Sequence, residues 1–230
     1  MHANSSPVSS NQQQLHPRLA EIVNRHLRAA HRAEIVAHNL SAYETLRESL
    51  AARPRPLVLD SFCGTGHSTA ALAERHPGHL VVGIDKSAQR LAKHPYTDRD
   101  NYLLLRADCE DIWQLLVRDG LRAEFHYILY PNPWPKARHL QRRVHGHARF
   151  PLLLQLGGAL ELRSNWQIYI EEFGVAMHLA GQRGRVSRLA AGETDLSLFE
   201  RKYRRSGHDL WVYTANIGLK LGNQPANNMP

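Results

Sequence analysis

Apolar residues along the 230-residue chain fall into two regimes. From Leu15 to Leu50 they recur at helical spacing, as Leu19, Ile22, Val23, Leu27, Ile35, Val36, Leu40, Tyr43, Leu46 and Leu50. That spacing predicts one or two amphipathic helices, ended by the Arg-Pro-Arg-Pro at 53–56. Beyond it, short apolar runs alternate with amphipathic segments. PLVLD (56–60), LVVGID (80–85), YLLLR (102–106), FHYILY (125–130), ALELRS (159–164) and HDLWVYTAN (208–216) read as strands. The stretches 67–76, 87–93, 110–119 and 166–180 read as helices. Short apolar strands joined by helices fit a parallel sheet covered on both faces. The expected fold class is α/β, a Rossmann-like, doubly wound and mostly parallel sheet with helices on both faces. Residues 15–52 form a helical extension to it and 53–218 the main domain. The polar segments 1–14 and 219–230 are expected to be disordered tails.

Charge adds a partner to this picture. The net charge is +8 and the pI near 9.8, with basic residues clustered in 136–149 and 201–205. Clustering of that kind suits an acidic partner such as RNA. The two cysteines, Cys63 and Cys109, form no CxxC motif, so a reducing compartment without disulfides is expected. No apolar run reaches membrane-spanning length, and the polar N-terminus lacks a signal core. A cytoplasmic protein, monomer or homodimer, is the expectation. His145 and His147 read as a solvated pair facing RNA, and no metal is proposed. Asp195 reads as a helix N-cap, and Tyr127, Trp166 and Met177 as core.

Two segments carry candidate chemistry. In LDSFCGTGHSTA (59–70), Asp60 ends the first strand, and Gly64 and Gly66 allow a tight turn and a close ligand approach. Thr69 stands where a dinucleotide fingerprint has its third glycine, which weighs against NAD. Asp85, at the end of the second strand, is placed to accept from both hydroxyls of a ribose. Asp108, after the third, is placed to accept from an adenine amine. This order of GxG, Asp and Asp resembles S-adenosylmethionine-dependent methyltransferases of the Rossmann-like class. Asp60, Cys63, Gly64, Gly66, Asp85, Lys86, Asp108 and Cys109 are the expected contacts to S-adenosyl-L-methionine. For Cys63 a plain packing role is the simpler reading.

The second segment is YPNPWPKARHLQRR (130–143), at the end of the fourth strand. Pro131, Pro133 and Pro135 stiffen it, and Trp134 offers a face on which a base could stack. Lys136, Arg138, Arg142 and Arg143 could grip phosphates. The segment resembles the PDPWPKKRH-type motif of bacterial tRNA (guanine-N7)-methyltransferases. SLFERKYRRSGHDLWVY (197–213) is similar to that family's T-x-F-E…G-H…W block, and SNWQIYIEEF (164–173) to its T-D-x-x-x-Y segment. The resemblance covers roughly 55–215. It implies a class I methyltransferase fold, a tRNA or other structured RNA as partner, and methyl transfer to guanine N7. It also implies RNA contacts from Trp134, Lys136, Arg138, His139, Arg142 and Arg143. Asn132, Asn165, Tyr169, Ser197 and Glu200 would line the target pocket.

This chain departs from the family at two acids. Asn132 and Asn165 stand where the family has Asp, and Ser197 where it has Thr. A carboxylate can accept from guanine N1–H and the exocyclic amine together, whereas an amide has one accepting oxygen and a donating NH₂. Three readings stay open: retained guanine-N7 methylation, a changed target such as an exocyclic amine or a non-tRNA substrate, and a lapsed protein that binds cofactor and RNA without turnover.

Overall fold

A computed structural model describes residues 5–29, 34–95, 97–190, 192 and 194–218. Two helices, α1 (Leu19–Arg28) and α2 (Ala37–Ala52), precede the sheet. Then come β1 (Leu57–Ser61), α3 (His67–Arg75), β2 (Leu80–Asp85), α4 (Ala88–Leu91), β3 (Tyr102–Arg106), α5 (Cys109–Arg118) and β4 (Ala123–Leu129). Two 3-10 turns follow, Ala137–Arg142 and Val144–Gly146. The chain ends with α6 (Phe150–Leu156), β5 (Gly158–Ser164), α7 (Gln167–Leu179), β6 (Gly184–Arg188), α8 (Leu198–Arg205) and β7 (Trp211–Ile217). All six expected strands and four expected helices are present.

The seven strands pair in the order β3-β2-β1-β4-β5-β7-β6. The first five are parallel, and β7 runs antiparallel to both β5 and β6. Every residue of β1 and β2 is buried, as expected for strands covered on both faces. Strand order reverses between β1 and β4, and a crevice opens there at the carboxyl ends. Gly83 explains the missing third glycine. A Cβ on it would lie 2.2 Å from Thr69 Oγ1, so the bare position that seats α3 against the sheet belongs to β2. Among the described residues, no helix is long and apolar enough to cross a membrane.

Residues 5–14 do not form a loose tail; the structure corrects that expectation. Gln12 Nε2 donates to Glu172 Oε1 of α7 at 2.6 Å, and Ser5 N–H donates to Ser206 Oγ. Polar composition looked like disorder, yet here it supplies hydrogen bonds to buried acceptors. Residues 1–4 and the expected tail at 219–230 lie outside the described residues. The reading of Asp195 as an N-cap is also corrected. Ser197 Oγ caps α8 by accepting from the Glu200 amide at 3.1 Å, while Asp195 pairs with Arg204 at 2.9 Å.

A candidate active-site cleft at the sheet switch point

Five strand ends converge on one cleft of about 920 Å³. Its lining includes Phe62 after β1, Asp85 and Lys86 after β2, Asp108 and Cys109 after β3, Tyr130–Trp134 after β4, and Asn165 after β5. A volume of that size suits a large cofactor with room for part of a second ligand. Among the described residues, three non-glycine residues have left-handed backbone, and all three line this cleft: Phe62 (φ 63°), Tyr130 (φ 53°) and Trp134 (φ 45°). Such conformations cost about 1 kcal/mol or more each and persist only where the surroundings enforce them.

The side of the cleft beside the glycine loop is built around Asp85. Its Oδ2 accepts from the Gly64 amide at 3.0 Å, and its Oδ1 from the Ser87 amide at 2.8 Å. The exposed Arg90 guanidinium also reaches Oδ1, at 3.0 Å. A carboxylate has about four lone-pair sites, so hydroxyls can join these amides once the Arg90 side chain swings aside. Cys109 Sγ accepts from the Phe62 amide at 3.2 Å and joins the β1 and β3 ends beneath the cleft. Burial pushes both thiols, Cys63 and Cys109, well above their ordinary range, so they serve as packing groups. Asp108 is fixed from outside the sheet, its amide donating to Asn39 Oδ1 of α2 at 3.2 Å. Asn39 also donates to Asp111, which is paired with Arg149. Glu110, a carboxyl that sequence reasoning passed over, lines the wall; burial raises it above the usual range. Apolar Phe62 and Ala107 beside Asp85, Asp108 and Glu110 fit a ligand bearing a ring, hydroxyls and an amine.

Asp60 is not a contact to that space. It is fully buried, and its Oδ2 accepts from Ser68 at 2.6 Å and Thr69 at 2.7 Å. Burial pushes its carboxyl up to about 6 against the pull of those two hydroxyls. Its work is to pin the start of α3 beneath the glycine loop. Gly64 and Gly66 shape that loop, both with positive φ.

On the opposite side of the cleft, the elbow divides into exposed and buried halves. Lys136, Arg138 and Arg142 are exposed, as phosphate contacts must be. Arg143 is not, and its assignment to phosphates is corrected. It is fully buried, paired with Glu172, and donates to Trp134 O at 3.2 Å and to Gln12 Oε1 at 3.0 Å. His145 is likewise fully buried and bonds Glu172 Oε2 at 3.0 Å, so it does not face solvent or RNA. Burial would raise Glu172, but the bonds from His145, Arg143 and the His16 amide outweigh it and hold the carboxyl at about 2. Residues 10–12 complete the clamp. Ser10 Oγ donates to Pro135 O, and the Ala137 amide donates to Asn11 Oδ1 at 3.2 Å.

Trp134 also departs from its expected role. Arg142 lies over its ring at 4.8 Å and His139 meets it edge-on, with centroids 5.5 Å apart. That pairing joins Trp134 to the basic run and occupies one face of its ring. Of the five expected target-pocket residues, Asn132 and Asn165 line the cleft. Asn132 Oδ1 accepts from the Trp134 amide at 3.2 Å. Asn165 Nδ2 donates to His208 Nδ1 at 3.2 Å; His208 Nε2 in turn donates to Ser5 O at 2.8 Å. The chain of donors assigns the His208 tautomer and turns Asn165 Oδ1, an acceptor, away from the histidine. Tyr169 and Glu200 are fully buried and do not line the cleft. Tyr169 OH accepts from the Val144 amide, and Glu200 pairs with Arg163 at 2.7 Å. With Ser197 as the cap of α8, all three support the wall from behind.

Comparison with known proteins agrees with this geometry. A family model described as a putative methyltransferase matches residues 54–212. The tRNA (guanine-N(7)-)-methyltransferase of Zymomonas mobilis subsp. mobilis is 30% identical over 175 residues, 69% of this chain and 74% of its own. That of Leifsonia xyli subsp. xyli is 27% identical over 178 residues, 71% and 77%. Among solved structures, an antibiotic-related methyltransferase aligns with a TM-score of 0.56 at 13% identity, covering 84% of this chain and 98% of that one. The 16S rRNA methyltransferase KamB aligns at 0.54 and 18% identity, covering 81% and 95%. At such identities the two structures show a shared fold.

Proposed function

The chain belongs to the tRNA (guanine-N7)-methyltransferase family and is a methyltransferase, and we propose that it transfers the methyl group of S-adenosyl-L-methionine to guanine N7 in tRNA. The observation that carries this reading is the meeting in one cleft of Asp85, Asp108 and Glu110 with the Asn132–Trp134 elbow and Asn165. Asp85 would hold the cofactor hydroxyls, Asp108 and Glu110 its amine, and Phe62 its ring. When bound, the cofactor supplies an electrophilic methyl on a sulfonium. Guanine N7 carries a free lone pair, so the protein has no proton to remove and acts by alignment. Asn165 Oδ1, held by the His208 bond, would accept from the guanine N–H edge. Lys136, Arg138 and Arg142 would hold the phosphates.

Loss of the two family carboxylates leaves fewer acceptors at that edge, but the elbow keeps its shape because the Asn132 oxygen bonds its own turn. The reading in which Asn132 grips a target amine asks more of an oxygen already accepting from Trp134. The test is incubation with methyl-labelled S-adenosylmethionine and unmodified bulk tRNA, then nucleoside digestion and mass analysis. Labelled 7-methylguanosine is the expected product. Label in another nucleoside would overturn the target atom, and no label despite measured cofactor binding would overturn the activity.

A further inference from the structure

With one face of Trp134 engaged by Arg142, the cleft offers the base a second platform. Phe199 is 48% exposed and lines the cleft; it is the one aromatic among the exposed large hydrophobics of the described residues. It does not stand alone. One turn on along α8, Tyr203 stacks beneath it, with centroids 6.0 Å apart and planes at 24°. His208 stacks beneath Tyr203, at 5.3 Å and 14°. Tyr130, at the left-handed start of the elbow, flanks Tyr203 at 5.5 Å. The stack is anchored at its foot, because His208 is bonded to Asn165 on one ring nitrogen and to Ser5 O on the other. Its other end is Phe199, an apolar ring about half exposed at the cleft.

A core phenylalanine would be covered, and a ring backed by two further layers loses little entropy when something flat lies on it. Exposed Arg201, Lys202 and Arg205 share α8 with it, and exposed Lys136, Arg138 and Arg142 stand on the elbow that borders the same cleft. The occupant such a surface suits is planar, apolar on its faces and tethered to negative charge.

We propose that Phe199 is the stacking face for the target nucleobase, extruded from the RNA, with Tyr203 and His208 as its rigid support and Asn165 reading the base edge. This deepens the proposed methyl-transfer function and rests on it. Stacking is indifferent to whether position 132 or 165 is acid or amide, so it supplies affinity where the two carboxylates are absent. A base–aromatic stack is sequence-tolerant and worth a roughly 5- to 150-fold change in affinity on removal.

The test uses the full chain with Phe199→Leu, which keeps apolar bulk, and Phe199→Trp, which keeps a stacking face. For each, kcat/KM is measured on unmodified bulk tRNA, tRNA binding in the presence of S-adenosylhomocysteine, cofactor affinity by calorimetry, and the thermal midpoint. Phe199→Leu is expected to lower kcat/KM and weaken tRNA binding by about 5- to 150-fold, with cofactor affinity and midpoint unchanged and Phe199→Trp close to the parent. Parent activity with Phe199→Leu within about twofold on both RNA readouts would overturn the stack and leave methyl transfer standing. Loss of cofactor affinity or of the thermal midpoint would also overturn it, by making the ring structural. A parent that binds tRNA in a Phe199-dependent way but labels nothing would keep the stack and remove the methyl-transfer reading. A parent that neither labels nor binds tRNA would end both.

Discussion

Glu172→Gln should be the most damaging single-atom change in the scaffold behind the elbow. Glu172 is fully buried and its two oxygens receive four donors: Gln12 Nε2, the His16 amide, Arg143 and His145. Glutamine keeps the shape but offers one accepting oxygen and turns an NH₂ toward donors. It also leaves the Arg143 guanidinium buried without a counter-charge, and breaking such a pair costs about 3–5 kcal/mol. In urea, with a slope near 3 kcal/mol/M, the midpoint at pH 7 should fall by about 1–1.7 M. Acid gives a second signature. Glu172 sits at about 2 in the fold against its ordinary 4.5, so the native state binds fewer protons than the unfolded one. The group's contribution, on the order of 3 kcal/mol, is present above about pH 5 and lost as the pH falls toward 2. The glutamine variant should lack that part of the acid slope. A midpoint shift worth under about 1 kcal/mol, or acid slopes identical to the parent's, would refute the reasoning.

Three further outcomes follow from other buried or exposed charges. Asp60 is displaced the opposite way, up to about 6 from 3.8; the native state then holds its proton longer, and stability falls as the pH rises from about 4 to 6. Asp60→Asn should therefore stabilise by about 1–3 kcal/mol at pH 7 and by nothing near pH 3.5; a loss at pH 7 in thermal unfolding would sink this. Asp85→Ala should weaken S-adenosylmethionine binding about tenfold or more, because both oxygens organise the loop and face the cleft; unchanged calorimetric affinity would remove Asp85 from the cofactor site. Neutralising Arg138 and Arg142 together should lower the slope of log affinity for tRNA against log salt by about 1.5–2, and an unaltered slope would return them to a solvated face.

Much of the frame was legible because the pattern that announces it is the force that builds it. Strands β1 and β2 read as apolar runs since every residue in them is buried, β3 to β5 keep enough apolar residues to show although partly covered, and chain order placed Asp85, Asp108 and the elbow at one edge. Strand β6, Gly184–Arg188, escaped because its residues are exposed or partly so, and an edge strand of arginines has no apolar run to show. The elbow's charges were legible as a group and not singly. Arg142 and Arg143 are neighbours, and a 3-10 turn sends one to solvent and the other to Glu172, a partner 29 residues away. Tyr169, Ser197 and Glu200 were expected in the pocket on motif likeness alone. A motif marks a residue as needed, and these three are needed for a buried bond, a helix cap and an ion pair behind the wall. The aromatic stack on α8 lay hidden in an i, i+4 pair of rings. Only the fold shows that both rings line the cleft.

The clamp of residues 10–12 on the elbow has a consequence in time. Gln12 and Glu172 are separated by 160 positions, so a ribosome adding about 5–20 residues per second exposes one roughly 8–30 s before the other. The strands from β1 to β5 can assemble during that wait, while Gln12 has yet to meet Glu172. Closure of the rim is thus a late event in the life of each molecule. A bulky fusion placed ahead of residue 10 would be expected to spare the sheet and delay the joint that ties residues 10–12 to the elbow and α7.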